Sequence, residues 1–287
     1  MDQRIIDLYD DYEHVHFDRR LFLNRAARLL GSTAAAAALL PLFHSNDALA
    51  ATVPVDDPSI LTEAVSFPGA TGEVKGYLGR PREAAARLGA VIVVHGNRGL
   101  NAHIEDVSRR LAKEGFMALG VDFLSPLGGT PAPELNSERR ASDLDPQETV
   151  ADALAAANWL RSLPTSNGKV GVTGFCWGGG VANRLAVADP LLSAAVPYYG
   201  AVPDAADVPK IQAPLLLNYA DPNLDTRIGA QLPGYEAALQ AAGKSYTLYT
   251  YEGAQHAFND DTQVRYHQAA AELAWSRTLA FFREHLS

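Results

Sequence analysis

"GVTGFCWGGG", residues 171–180, is the stretch on which the fold turns. Its first half completes "KVGVTGF" (169–175), which reads as a buried strand, and its second half opens "WGGGVANRLAVAD" (177–189), which reads as a helix. The junction is Gly174-Phe175-Cys176-Trp177-Gly178, a G-x-C-x-G pattern: the cysteine version of a nucleophile elbow. Such a turn is sharp and strained, and bulky residues two positions to either side would collide with strand or helix. It lifts the sulfur above the C-terminal edge of a sheet. It also sets Cys176 at a helix N-terminus, where partial positive charge favours thiolate over thiol. Backbone N–H groups in that first turn lack intrahelical acceptors and can receive an oxyanion. The competing reading is a small buried residue in a common Gly-rich turn, because cysteine packs well in apolar surroundings.

Working outward, "AVIVVHG" (90–96) and "FMALGVDF" (116–123) are continuous apolar runs of the kind a parallel sheet buries on both faces. "LTEAVSF" (61–67) and "GEVKGYLGR" (72–80) read as a hairpin. "LSAAVPYYG" (192–200), "APLLLNYA" (213–220) and "SYTLYTY" (245–251) are further strands. Helical patterns alternate with them. In "HIEDVSRRLAKEG" (103–115), Ile104, Val107 and Leu111 share a face. In "PQETVADALAAANWLRSLP" (146–164), Val150, Leu154 and Ala157 are the expected inner face, and in the last helix Leu273, Ala274 and Phe281. This alternation predicts an α/β fold with a mostly parallel central sheet and helices on both faces. A long loop from "SPLGGTPAP" (125–133) to about Pro146, with Arg139 and Arg140, is a candidate lid or a solvated stretch.

Two further groups complete a candidate triad in the order nucleophile, acid, histidine. "LLLNYADPNLDTRI" (215–228) puts Asp221 and Asp225 just past a strand, and "YTYEGAQHAFND" (249–260) puts His256 just past the last one. Strand C-terminal ends are where catalytic groups of open α/β sheets collect.

Composition narrows the classes. The 287 residues are 47% hydrophobic and 20% charged with a formal charge of −9, which excludes the basic surface that nucleic acid requires. A lone cysteine excludes an internal disulfide and any multi-cysteine metal site. His95 and His103 have no clear carboxylate partner in the sequence, so no metal is expected there. The first 50 residues resemble a twin-arginine export signal: Arg19-Arg20, Leu21-Phe22-Leu23, an Ala-rich apolar run, then Ala48-Leu49-Ala50 as a small-x-small cleavage site. Asp18 before the arginine pair and the polar lead-in depart from the usual pattern. The expected organisation is a leader over 1–50, a linker over 51–59 and one α/β domain over 60–287, in a periplasmic or secreted protein. No later stretch reads as transmembrane.

The G-F-C-x-G-G segment around Cys176, "HGNRGLNAHIEDVSRRLAKEGF" (95–116) and "GAQHAF" (253–258) together resemble the dienelactone hydrolases of the α/β-hydrolase fold, in particular an exported branch with a twin-arginine leader. The resemblance covers about residues 60–287. It implies hydrolysis of a small-molecule ester or lactone, as in opening of a dienelactone ring to maleylacetate, without metal or organic cofactor. It implies Cys176 as nucleophile, His256 as base and Asp225 as acid, with Asp221 as the other candidate. It assigns the oxyanion to the backbone N–H groups of Trp177 and Asn97. Arg98, Phe123 and Tyr199 are candidate substrate-binding residues. One position departs from the family: the glutamate that usually hydrogen-bonds the resting cysteine is Gly96 here. That substitution keeps two alternatives in play, a broad carboxylesterase or thioesterase and a catalytically weakened binding protein.

Overall fold

The computed structural model describes residues 3–14, 19–43, 52–84, 86–131 and 141–287. The cleavage site expected at Ala50 and the loop residues Arg139 and Arg140 lie outside the described residues. An eight-stranded sheet forms the centre, in the order β1-β2-β4-β3-β5-β6-β7-β8. The hairpin expected from the sequence is present: β1 (Ile60–Pro68) pairs antiparallel with β2 (Glu73–Pro81), and β2 pairs antiparallel with β4 (Met117–Asp122). From β4 the sheet is parallel through β3 (Leu88–Val94), β5 (Ser166–Phe175), β6 (Ala194–Tyr198), β7 (Leu215–Ala220) and β8 (Tyr246–Tyr251). Every residue of β4, β6 and β7 is buried, which accounts for their unbroken apolar sequence, whereas edge strand β8 is mostly half-exposed.

Helices cover both faces. The helices α4 (Ala102–Lys113) and α9 (Gln268–Leu286) belong to one apolar cluster, with Val91, Val93, Phe175 and Val196 from the sheet. On the other side α5 (Pro146–Ser162), α6 (Trp177–Ala188) and α8 (Leu232–Ala241) pack on Ile92, Val94, Leu119 and Val172. Caps fix the helix starts: Asn101 accepts from the Ile104 N–H, and Asp145 accepts from the N–H groups of Gln147 and Glu148.

Two helix faces differ from expectation. In α5 the buried face is Ala153, Ala156, Ala157 and Leu160, and Val150 and Leu154 are only half-buried. In α9 it is Ala270, Ala271, Ala274, Thr278, Leu279, Phe282 and Leu286, while Leu273 is 47% exposed and Phe281 half-buried. Both buried faces mix alanines with larger residues, Leu160 in α5 and Leu279, Phe282 and Leu286 in α9.

Before the sheet come α1 (Gln3–His14), α2 (Arg19–Leu30) and α3 (Thr33–Phe43), which share a small apolar cluster of their own. Among the described residues no helix is long and apolar enough to cross a membrane.

Candidate active site

The C-terminal ends of the parallel strands converge on one pocket. At the end of β5 the chain turns through Cys176, which caps α6 with φ 58° and ψ −118°. A side chain at positive φ is strained, and among the described residues only Cys176, Tyr199 and Ala257 are non-glycine residues in that state. All three line this pocket. The neighbouring glycines are required by contact: a Cβ on Gly174 would run into the Gly178 carbonyl, and one on Gly178 into the carbonyls of His95 and Val94. The turn is pinned from below by the Cys176 N–H, which donates to the Tyr198 carbonyl at 3.1 Å.

His256 and Asp225 arrive from the strands beyond. Asp225 caps the short helix α7 (Thr226–Gly229), and its Oδ2 lies 2.7 Å from His256 Nδ1. Both are buried. Asp221 is occupied elsewhere: its carboxylate accepts from the N–H and Nδ2 of Asn223 and from the Gly253 N–H, holding the loop that carries His256. Burial works against charge on His256, but the Asp225 carboxylate, the Cys176 sulfur and hydrogen bonds to both push its pKa up to about 10. Burial likewise works against charge on Asp225, yet the imidazole beside it holds that carboxyl below its ordinary value. Cys176, His256 and Asp225 therefore act on one another as a coupled set.

The loop after β3 forms another wall. Asn97 and Arg98 both line the pocket. The Asn97 carbonyl accepts from the Ala141 N–H at 2.9 Å and its Oδ1 from the Ser142 N–H at 2.8 Å, which ties the loop to the segment before α5. Trp177 is the first residue of α6, where backbone N–H groups precede the intrahelical ladder. Its indole stacks on His95, with centroids 5.5 Å apart. His95 is a structural residue: Nε2 accepts from the Phe123 N–H at 3.1 Å, so Nδ1 carries the proton and donates to the Gly96 carbonyl at 2.6 Å. Burial pushes its pKa down, in keeping with a neutral ring.

Phe123 does not line the pocket. It is buried, edge-on to His95 and Trp177, and its backbone N–H donates to His95 Nε2. Tyr199 does line it, with its ring 5.1 Å from that of His256, and burial pushes its phenol well up, so it stays neutral.

His103 finds its carboxylate partners far along the chain, not in the neighbouring Glu105 or Asp106. Its Nδ1 is 3.1 Å from Asp261 and 3.5 Å from Asp260, both more than 150 residues away in the chain. Those three side chains are close enough to hold a cation. The carboxylates are already engaged, however: Asp261 takes Arg110 at 2.5 Å, and Asp260 accepts from the Thr262 N–H and hydroxyl. The cluster reads as a buried ion-pair network that staples α4 to the loop after His256.

At Gly96 a Cβ would stand 3.8 Å from the Phe175 carbonyl oxygen and 3.9 Å from the Cys176 Cβ, both ordinary contacts. The site beside the sulfur therefore has room for a side chain that this sequence does not supply. The lining residues that sequence reasoning missed include Ala257, Arg265, Asp260, Gln263, Asn101 and Tyr9. Of these, Tyr9 had a legible signal: Ile5, Leu8, Tyr9 and Tyr12 recur at helical spacing.

Comparison with known proteins bears on the family and the fold. The model of the dienelactone hydrolase family matches residues 74–286. An Escherichia coli protein named "Putative carboxymethylenebutenolidase" is 32% identical over 248 residues, covering 81% of this chain and 90% of that protein. A Bradyrhizobium protein named "Probable 2-oxo-3-(5-oxofuran-2-ylidene)propanoate lactonase" is 33% identical over 237 residues, 76% of this chain and 92% of that one. Among solved structures, a Klebsiella pneumoniae protein described as a "Putative Dienelactone Hydrolase" superposes with a TM-score of 0.70 at 29% identity, covering 78% of this chain and 99% of its own. A bacterial brefeldin A esterase, at 14% identity and a TM-score of 0.67 over 92% of this chain and 86% of its own, shares the fold.

Proposed function

The chain belongs to the dienelactone hydrolase family, and from that premise we propose that it hydrolyses ester or lactone bonds through Cys176, His256 and Asp225. The observation that carries this reading is the strained Cys176 at the mouth of the elbow, coupled to a buried His256–Asp225 pair.

In this mechanism the Cys176 thiolate attacks the carbonyl carbon, and the carbonyl oxygen becomes an oxyanion held by the Trp177 and Asn97 N–H groups. Preorganised donors of this kind are each worth about 3 kcal/mol of barrier. As the C–O bond breaks, imidazolium His256 gives its proton to the departing oxygen, leaving a thioester on Cys176. His256 then takes a proton from water, which attacks the thioester. Collapse of that adduct breaks the C–S bond, releases the carboxylic acid and leaves the Cys176 thiolate beside the imidazolium, the starting pair. From a lactone, the alcohol stays tethered and the product is a hydroxy acid or its enol. With glycine at position 96, activation of the thiol falls to His256.

The direct test is a panel of p-nitrophenyl esters and a dienelactone. The expected result is turnover of at least one of them at a rate that the Cys176→Ala variant loses. A wild-type rate no higher than that variant's on every compound overturns the reading and favours a binding protein.

The leader reading belongs to the same proposal. It is supported by the Arg19-Arg20 pair, the Ala-rich run and the Ala48-Leu49-Ala50 site. Expression in a host with a twin-arginine pathway should yield a periplasmic chain beginning at Ala51. An intact N-terminus on cytoplasmic protein alone would contradict it.

A further inference from the structure

The N-terminal helices also reach the catalytic pocket. Tyr9, on α1, lines the same pocket as Cys176 and is almost completely buried. Its ring is gripped from behind by the N-terminal helices, edge-on to Phe22 of α2 at 6.0 Å and tilted against Tyr12 at the same distance. Its front meets the pocket's arginines. The Arg98 guanidinium donates to the Tyr9 hydroxyl at 2.5 Å, and Arg265 stands over the ring, 5.5 Å from its centroid. An aromatic ring held on both sides is a rigid wall, since tyrosine has only two side-chain torsions to fix.

We propose that, in the chain that still carries residues 1–50, Tyr9 narrows the pocket and limits the size of the group that can reach Cys176. The proposal builds on the catalytic reading of this pocket. A bulky acyl or leaving group has to displace the ring, breaking its bond to Arg98 and its contact with Arg265. A short one does not. Tyr9 is a positional gate rather than a chemical participant, and its replacement should change the dependence of rate on size. Cleavage after Ala50 would carry Tyr9 away, so a processed chain would have the wider pocket.

The chain's single cysteine provides a readout that needs no turnover. Alkylation of Cys176 in the full chain is measured with iodoacetamide and with N-benzyl-2-iodoacetamide, which share a warhead and differ in bulk. The bulky-to-small rate ratio is expected to rise at least fivefold in Tyr9→Ala, to fall at least threefold in Tyr9→Trp, and to stay within twofold of wild type in Tyr9→Phe. A ratio unchanged in both Tyr9→Ala and Tyr9→Trp overturns the proposal, as does equal acceleration of both reagents in Tyr9→Ala. If Tyr9→Ala fails to fold, Tyr9→Trp and Tyr9→Phe decide the matter. Absence of ester hydrolysis in the wild type would sink the hydrolase reading and leave this ratio to be judged separately.

Discussion

Replacing Cys176 by alanine is expected to lower kcat at least about 10⁴-fold while leaving the folded structure in place. The size follows from the role. Losing the nucleophile of a covalent mechanism removes the whole acyl-transfer route, and what is left is oxyanion stabilisation and binding, worth about 10³–10⁴ over water. Survival of the fold follows from the backbone. Position 176 sits at φ 58° whichever β-carbon it carries, and the turn is held by the Cys176 N–H bond to Tyr198 and by its glycine neighbours, not by the sulfur. Strain can then be separated from chemistry by a second variant. Cys176→Gly also lacks the thiol but has no Cβ to strain, so it should be more stable than Cys176→Ala by about 1 kcal/mol, or roughly 2–4 °C in Tm. Equal melting temperatures would mean that the turn is not strained. Turnover retained in either variant would exclude covalent catalysis at this sulfur.

The elbow is the most readable part of the sequence because backbone crowding leaves it few options. Gly174 and Gly178 are required by carbonyls that any Cβ would strike, so the G-x-C-x-G spacing is itself a structural statement. The central strands are readable for a similar reason: burial on both faces demands unbroken apolar runs such as Val91–Val94. The choice between Asp221 and Asp225 is of another kind. Both carboxylates follow β7 within five positions, and what separates them is which one meets Asn223 and Gly253 and which one meets a histidine 31 residues on. Loop geometry of that sort leaves no periodicity in the sequence. Phe123 misleads because an aromatic residue at a strand end fits a pocket wall and a buried layer beneath it equally well. The inner face of α9 escapes because apolar residues lie on more than one side of it, and Leu273 is exposed while Ala270, Ala274, Leu279 and Leu286 are buried. His103 finds its carboxylates across more than 150 residues. Tyr9 is hidden by a prior judgement, since an N-terminus taken as a leader is left out of the fold even where its apolar spacing is helical.

Asp225→Asn is the sharpest test of how the site is wired, with an expected fall in kcat/KM of about 10³–10⁴-fold, the scale seen when the orienting acid of a triad is neutralised. An amide at 225 can present its N–H₂ to His256 Nδ1, which stabilises the wrong tautomer, and it no longer offsets positive charge on the ring. Asp221→Asn, by contrast, should stay within about threefold of wild type, because that side chain serves the loop and not the imidazole, and its one amide oxygen can still accept from Asn223 while only the Gly253 bond is lost. Stability gives an independent reading through linkage. His256 has its pKa raised from an ordinary value near 6.5 to about 10, so its contribution to stability is full below 6.5 and is lost as pH rises through 10. Asp225 has its pKa depressed from an ordinary 3.8, so its contribution is present above that value and is lost on acidification through the folded-state pKa. The Tm gap between wild type and Asp225→Asn should therefore be widest between about pH 4 and 6.5 and should close as the pH approaches 10. A gap that does not vary between pH 6 and 10 would mean that the pair is not charged in the folded protein. Loss of activity in Asp221→Asn with retention in Asp225→Asn would transfer the acid's role to the other carboxylate.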